Sequence, residues 1–353
     1  MSQPENQAVW LNASKAPLEV GPAPYTNPGP GQLVVKNAAI GINPIDWLKQ
    51  FLGENILPHI KYPTIFGEDI AGTVVAVGEG VTRFKVGDRV LAVAGLIPSN
   101  NTPEGAFQLY TVAREWLTTP LPDGMTFEQG CVLPLALIVA GTGLFDPDYA
   151  GLDYPTVPAR PKDGKRVVIV AGGASAVGGT GVQLASAAGY EVVSTSSPKN
   201  FDLVKSLGAT SVVDYNAPDV AEQLLAAVKG KQLCGALSLG DGTPDYLADV
   251  LRRHDASGTA GPTKKFIARA EGKHSVEEGG DVDVKFILIS PPVIGPQTHL
   301  RPLFEDYLPK ALANGQFKPR PKPQVVGKGL DKIQGAFETL RKGVSATKIV
   351  VQL

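Results

Sequence analysis

The stretch from Arg166 to Asn200 constrains this chain more than any other. Val167 to Ala171 form an unbroken apolar run, the mark of a strand buried on both faces of a parallel sheet. A glycine-rich turn follows, and then Val177, Leu184, Ala185 and Ala188 recur at helical spacing. A second short strand, Glu191 to Thr195, completes a βαβ unit of about thirty residues. The turn Gly173, Ala174, Ser175, Ala176, Val177, Gly178 carries serine where the strict G-x-G-x-x-G fingerprint has its middle glycine. Such turns also serve as plain strand-to-helix connections. With strand, turn, helix and second strand all present, the reading is a pyrophosphate held by the free N–H groups and dipole of a helix N-terminus.

The residues beyond the second strand bear on which nucleotide is held. NAD sites usually place Asp or Glu about 20 residues past the turn, on the ribose hydroxyls. Here Ser196, Ser197, Pro198, Lys199 and Asn200 supply hydroxyls and one cation, with no acid. A carboxylate would repel a 2′-phosphate, whereas Ser196, Ser197 and Lys199 bond and neutralise it, so NADPH is expected over NADH. A structural reading stands beside this one, in which Ser197 or Asn200 caps the helix beginning at Phe201.

At 353 residues the chain exceeds the usual single core, so two domains are expected. Formal net charge is −1 with 19% charged residues and no basic run, which disfavours nucleic acid and anionic membrane as partners. Cys131 and Cys234 are the only cysteines and form no CxxC pair, so neither a disulfide framework nor a thiolate metal site is expected, and a reducing cytoplasm fits. Met1 to Asn6 lacks the basic-then-apolar order of a signal peptide. The longest uncharged stretch, Gln129 to Phe145, is broken by Pro134 and glycines and reads as buried core rather than a bilayer span.

Residues 1–128 are β-rich and punctuated by turns, suggesting a small antiparallel barrel. Within them Ala38 to Trp47 reads as a strand that breaks at Pro44. From Gly130 helices and strands alternate. Strands over Ser211–Tyr215, Gly235–Leu239, near Phe266 and over Val284–Ile289, with helices Val220–Val228 and Asp245–Arg253, imply about six strands in a doubly wound parallel sheet. Residues 129–298 form this nucleotide domain. Ala270 to Gly280 is a polar loop. Residues 299–353 bring a helix over Leu303–Leu312, a stiff Lys318–Pro323 crossing, a helix over Asp331–Arg341 and a last strand, Lys348 to Val351, that rejoins the N-terminal barrel.

Several motifs now stand together: Asn43-Pro-Ile-Asp46, Gly67-Glu-Asp-Ile-Ala-Gly72, Val86-Gly-Asp-Arg-Val90, Gly172 to Gly178, and Gly343-Val-Ser-Ala-Thr-Lys348. Along almost its whole length the chain resembles the medium-chain dehydrogenase/reductase superfamily. Within it, the chain is similar to the zinc-independent, quinone-oxidoreductase-like branch, and above all to the fungal trans-acting enoyl reductases that partner polyketide synthases. The run Ser197 to Gly208, Asp214-Tyr215 and the proline-rich insertion Phe145–Pro161 carry that closer likeness. The resemblance implies a GroES-like barrel completed by the C-terminal tail, beside a Rossmann domain.

It also distributes roles. Ile45, Asp46, Trp47 and Leu48 would lie beside the nicotinamide, Gly173 to Gly178 on the pyrophosphate, and Ser197 to Asn200 on the 2′-phosphate. Tyr215, Leu239 and Gly240 would lie along the cofactor, with Ser345 and Ala346 closing over it. Leu135, Ile138, Val139, Thr142, Ile289, Pro291, Pro292 and Val293 would line the substrate site, although apolar runs of this kind also serve as plain core. For catalysis the family implies a lysine just after the Trp47 position and a threonine near the nicotinamide. Lys49 stands one residue late, which in an extended segment points it to the opposite face. Thr142 is the candidate that orients nicotinamide or substrate carbonyl.

Zinc alcohol dehydrogenases hold their catalytic ion with a cysteine, the histidine of a Gly-His-Glu motif and a further ligand. This chain has Gly67-Glu68-Asp69 at that motif, and no cysteine near Asn43–Asp46. His59, His254, His274 and His299 share no ligand spacing and read as surface or loop residues. No metal is expected. Alcohol–ketone chemistry relies on a Lewis acid at an alkoxide. Hydride addition to a conjugated C=C bond leaves a delocalised enolate that hydrogen-bond donors can hold. The expectation is a monomeric NADPH-dependent reductase of an enoyl thioester or enone, acting with a polyketide synthase. A quinone or small-enone reductase and a non-catalytic NADPH-binding protein are the alternatives.

Overall fold

A computed structural model describes residues 4–270, 273–277 and 280–353. Met1–Gln3 and part of the polar loop expected over Ala270–Gly280 lie outside the described residues. The chain forms two compact units, one of Met1–Leu135, Ile289–Leu312 and Pro319–Leu353, the other of Ala136–Leu288 and Ala313–Lys318.

The second unit is built on a six-stranded sheet in the order Ser211–Asp214, Glu191–Ser196, Arg166–Val170, Gln232–Ser238, Phe266–Arg269, Asp283–Phe286. Every neighbouring pair is parallel. In chain order this is 3-2-1-4-5-6, the doubly wound arrangement. Val167, Val168, Ile169 and Val170 are all fully buried at its centre, so the apolar run has the expected cause. The last strand stops at Phe286 instead of Ile289. It has one neighbour only, and its last paired residue, Phe286, is exposed, as is Leu288 beyond the pairing.

The first unit carries a seven-stranded, largely antiparallel sheet. Its main path runs Lys322–Lys328, Thr347–Gln352, Gln32–Gly41, Asp69–Val77, Arg89–Val93, Thr118–Pro120, with Tyr110–Arg114 also paired to Gln32–Gly41. The final strand rejoins the N-terminal sheet as expected, pairing Val350 with Gly41 and Val351 with Ile40. A core of Leu33, Ile40, Ile70, Val90, Phe107 and Phe337 fills the unit. The expected strand over Ala38–Trp47 proves shorter, because Gln32–Gly41 is followed by a helix, Pro44–Leu52. Pro44 is pre-set for a first helical turn, and Asp46 closes that turn by accepting from the Asn43 N–H at 2.7 Å. The expected helix over Leu303–Leu312 opens with a π-helical turn, Pro302–Tyr307, and continues as α-helix over Leu308–Ala313.

Phe127–Phe145 satisfies the length and composition of a bilayer span, yet 72% of it is buried inside the protein, as in a core helix.

Candidate functional site

In the nucleotide unit, the turn after Arg166–Val170 leads into the helix Ala176–Ala187. Ser175, the departure from the glycine fingerprint, is that helix's N-cap. Its Oγ accepts from the Gly178 N–H at 3.0 Å, a bond glycine cannot supply. The N–H groups of Ala176 and Val177 lie ahead of the helical ladder and remain for a ligand. Gly172 takes φ +70°, where side chains are strained. A Cβ on Gly173 would sit 2.3 Å from Ser194 Oγ, and one on Gly178 would sit 2.2 Å from the Gly172 carbonyl. Thr195 ties the turn to the second strand through its Oγ1 to Gly172 N and its carbonyl to Gly173 N.

At the end of that strand, Ser196 is buried and its Oγ has no partner in the protein. Ser197 and Asn200 bond each other at 3.1 Å, and neither side chain caps the turns that follow, Pro198–Asn200 and Phe201–Ser206. The capping explanation for this segment therefore falls away, while an unsatisfied hydroxyl and the exposed Lys199 stand beside it. Tyr215 is exposed just past the strand Ser211–Asp214. Leu239 packs at the turn, 3.2 Å from the Cβ position of Gly172, and Gly240 has φ +105°. The orphan hydroxyl, the tight glycines and the open helix start fit a dinucleotide.

The catalytic and substrate candidates are distributed as follows. Thr142 and Ile138 are fully buried on the helix Pro134–Phe145, with Leu135 and Val139 half-buried. In the first unit Val293 is buried, Ile289 half-buried, and Pro291 and Pro292 exposed. Ser345 is exposed, and Ala346 adopts φ +50° just before the final strand. Ile45, Trp47 and Leu48 are half-buried on the helix Pro44–Leu52.

Lys49 sits on the same helix, not on an extended segment, so its one-residue displacement is a rotation of about 100° rather than a change of face. It is wholly buried, and its ammonium donates to the carbonyls of Gly53, Ile56 and Leu57 at 3.2, 3.0 and 3.0 Å. The Tyr62 ring lies 5.0 Å from it. All three donor positions are committed to the backbone that follows the helix.

A buried polar hub in the first unit was not anticipated. Lys348 from the last strand donates to Asp69 Oδ2 at 2.7 Å and to Asn43 Oδ1. Asn43 Nδ2 donates to the same Asp69 oxygen at 3.0 Å, and Asp69 Oδ1 accepts from Leu135 N at 2.6 Å. Asp46 and Glu68 lie beside this group. Burial pushes the Asp46 carboxyl up to about 8, and burial followed by Asp46 itself holds Glu68 well above the ordinary range. Asp46 Oδ1 is buried without a partner, while Glu68 accepts from Ile97 N at 3.2 Å. Burial, then Asp69, also keeps Cys131 a thiol. Sequence reading quoted the motifs holding Asn43, Asp69 and Lys348 without assigning them a role. The available signal was a charge inside an apolar strand, as in Lys348-Ile-Val-Val.

The donor set is a poor match for zinc. An ammonium already compensates Asp69, the neighbouring carboxyls favour their protonated forms, and the third member of the hub, Asn43, offers a neutral amide instead of a thiolate or imidazole. Among the described residues no group of three or more His, Cys, Asp or Glu is placed to hold a metal. Of the histidines, His254 departs from the surface reading. It is buried at the end of the helix Thr243–Arg253, bonded to Thr263 Oγ1 at 2.6 Å.

Comparison with known proteins agrees with this architecture. Residues 29–123 match the alcohol dehydrogenase GroES-like domain, and residues 176–249 match the zinc-binding dehydrogenase family. The chain is 43% identical to dehydrogenase pigH of Monascus ruber, over 99% of this chain and 100% of that protein. It is 35% identical to trans-enoyl reductase himH of Aspergillus japonicus, over 99% and 97% respectively. Among solved structures, the CurK enoyl reductase superposes with a TM-score of 0.74 at 23% identity, covering 99% of each chain.

The chain therefore belongs to the medium-chain dehydrogenase/reductase superfamily, whose members bind a nicotinamide cofactor. Within it, the chain falls in the enoyl-reductase-like branch.

Proposed function

We propose that this protein is an NADPH-dependent, zinc-independent reductase of a C=C bond conjugated to a thioester or ketone carbonyl, acting in trans with a polyketide synthase. The observation that carries this reading is the Lys348–Asp69–Asn43 hub, which has the wrong donors for a catalytic zinc. Relatives named trans-enoyl reductases, at 34–35% identity, support both the alkene substrate and the separate synthase.

When bound, NADPH would supply a hydride for the β-carbon, the C=C π pair passing to the carbonyl as an enolate that takes a proton at the α-carbon. The chain's own part is to bind, orient and stabilise. Ala176 and Val177 N–H groups hold the pyrophosphate, and Ser196, Ser197 and Lys199 hold the 2′-phosphate. Thr142 orients the nicotinamide or the substrate carbonyl, and its hydroxyl is suited to the enolate oxygen. Lys49, with its protons committed to backbone, braces the helix Pro44–Leu52. Solvent water then serves as the source of the α-proton.

NADPH oxidation in the presence of an enoyl thioester, and separately of a quinone, with and without chelator, tests the proposal. Thioester turnover unaffected by chelator is the expected result. Loss on chelation restored by zinc would overturn the metal-free assignment, and efficient turnover of quinone alone would transfer the protein to the quinone-reductase class.

A further inference from the structure

The hub does more than neutralise buried charge. Lys348 reaches Asp69 by passing over Gly41, where a Cβ would lie 3.0 Å from Lys348 Cε, 3.1 Å from Asp69 Cβ and 2.4 Å from the Cys131 carbonyl. The missing side chain leaves the ammonium's passage open. At its end the ammonium meets two residues that each mark the start of a helix. Asn43 is the N-cap of Pro44–Leu52. Asp69 accepts from Leu135 N, in the first turn of Pro134–Phe145, where a carboxylate also complements the helix dipole.

We propose that Lys348 is a positioning residue: by gripping Asn43 and Asp69 together, its ammonium sets where both helices begin, and so where Ile45–Leu48 stand for hydride transfer. This deepens the reductase reading and rests on it. The side chain that supplies this fixed cation is 5% exposed. The ammonium's bonds to Asn43 and Asp69 stay within its own unit, and the phosphate-binding turn is part of the other. Loss of the grip should therefore degrade the chemical step and spare cofactor affinity.

The test compares wild type, Lys348→Met, and the double variant Lys348→Met with Asp69→Asn. The single variant buries an uncompensated carboxylate and is expected to melt earlier. The double variant is neutral and should regain most of that loss, but methionine offers Asn43 no donor. Its Kd for NADPH should stay within about twofold of wild type, while kcat on the crotonyl thioester of N-acetylcysteamine falls at least about tenfold. Independently of activity, amide hydrogen exchange in the first turn of Pro44–Leu52 should quicken at least about tenfold in the double variant. Wild-type kcat or wild-type exchange in a double variant of restored stability would overturn the proposal and leave the hub purely structural. A wild type that binds NADPH but reduces no enoyl thioester would refute the reductase reading, and exchange alone would then decide the positioning claim.

Discussion

The phosphate-binding turn and the polar hub are built in opposite ways. The turn is contiguous: strand, Gly172 to Gly178 and helix follow one another, and its bonds link near neighbours such as Ser175 and Gly178. The hub gathers residues 43, 69, 135 and 348, and its Lys348–Asn43 bond spans 305 positions. The turn works through backbone groups left open at a helix start. The hub works through side chains that satisfy one another away from water. A contiguous site tolerates loss of a single side chain, because backbone does the binding. A buried, mutually satisfied network loses much more when one member goes.

The largest predicted effect accordingly lies in the hub. Asp69→Ala strands the Lys348 ammonium and removes the acceptor of Leu135 N, at a cost of about 3–5 kcal/mol in chemical denaturation. A loss below about 1 kcal/mol, the range of exposed ion pairs, would place Lys348 in solvent contact and break the contrast. In the same unit, past the strand Glu191–Ser196, Lys199→Asp should weaken NADPH binding at least about tenfold and NADH binding little, measured by fluorescence titration. Equal losses for both nucleotides would remove the 2′-phosphate from that segment.

Acidity separates the regions too. Folded Asp46 keeps its proton to about pH 8, whereas the unfolded chain releases it near 3.8. The native state thus binds more protons across that window, and the hub's contribution to stability falls as pH rises from 4 toward 8. Glu68, also raised, adds to the same slope; Asp69 faces both groups, Lys348 faces Asp46 and Glu104 faces Glu68. Asp46→Asn should reduce the fall in Tm between pH 5 and 8 by at least about 2 °C; an unchanged slope would mean that Asp46 is ionised in the fold. The smallest effect belongs to the turn, where Ser175→Ala removes one cap and should cost about 1 kcal/mol.

The same contrast explains what could be read from sequence. The six-stranded parallel sheet followed from apolar runs alternating with helical spacing, and the return of the last strand to the N-terminal sheet followed from its apolar pattern after the Lys318–Pro323 crossing. The role of Ser175 was not legible as a cap, since serine in that slot looked only like a lapse from glycine. The break at Pro44 was legible, but the helix Pro44–Leu52 after it was not, although proline at the first helical position and Asp46 two residues later were its local signs. Nothing local tells that Asn43, Asp69 and Lys348 meet. That meeting is a product of sheet register, with Gly41 paired to both Asp69 and Val350.

The most direct test of the central claim is where the hydride goes. Wild-type protein, its zinc content determined by elemental analysis, is given an enoyl thioester and NADPH deuterated at the transferable position, and the product is examined by NMR. The account predicts one deuterium at the β-carbon of a saturated thioester, made by protein carrying less than about one tenth of a zinc per chain. Deuterium at a carbonyl-derived carbon, or turnover that rises in proportion to bound zinc, would contradict it.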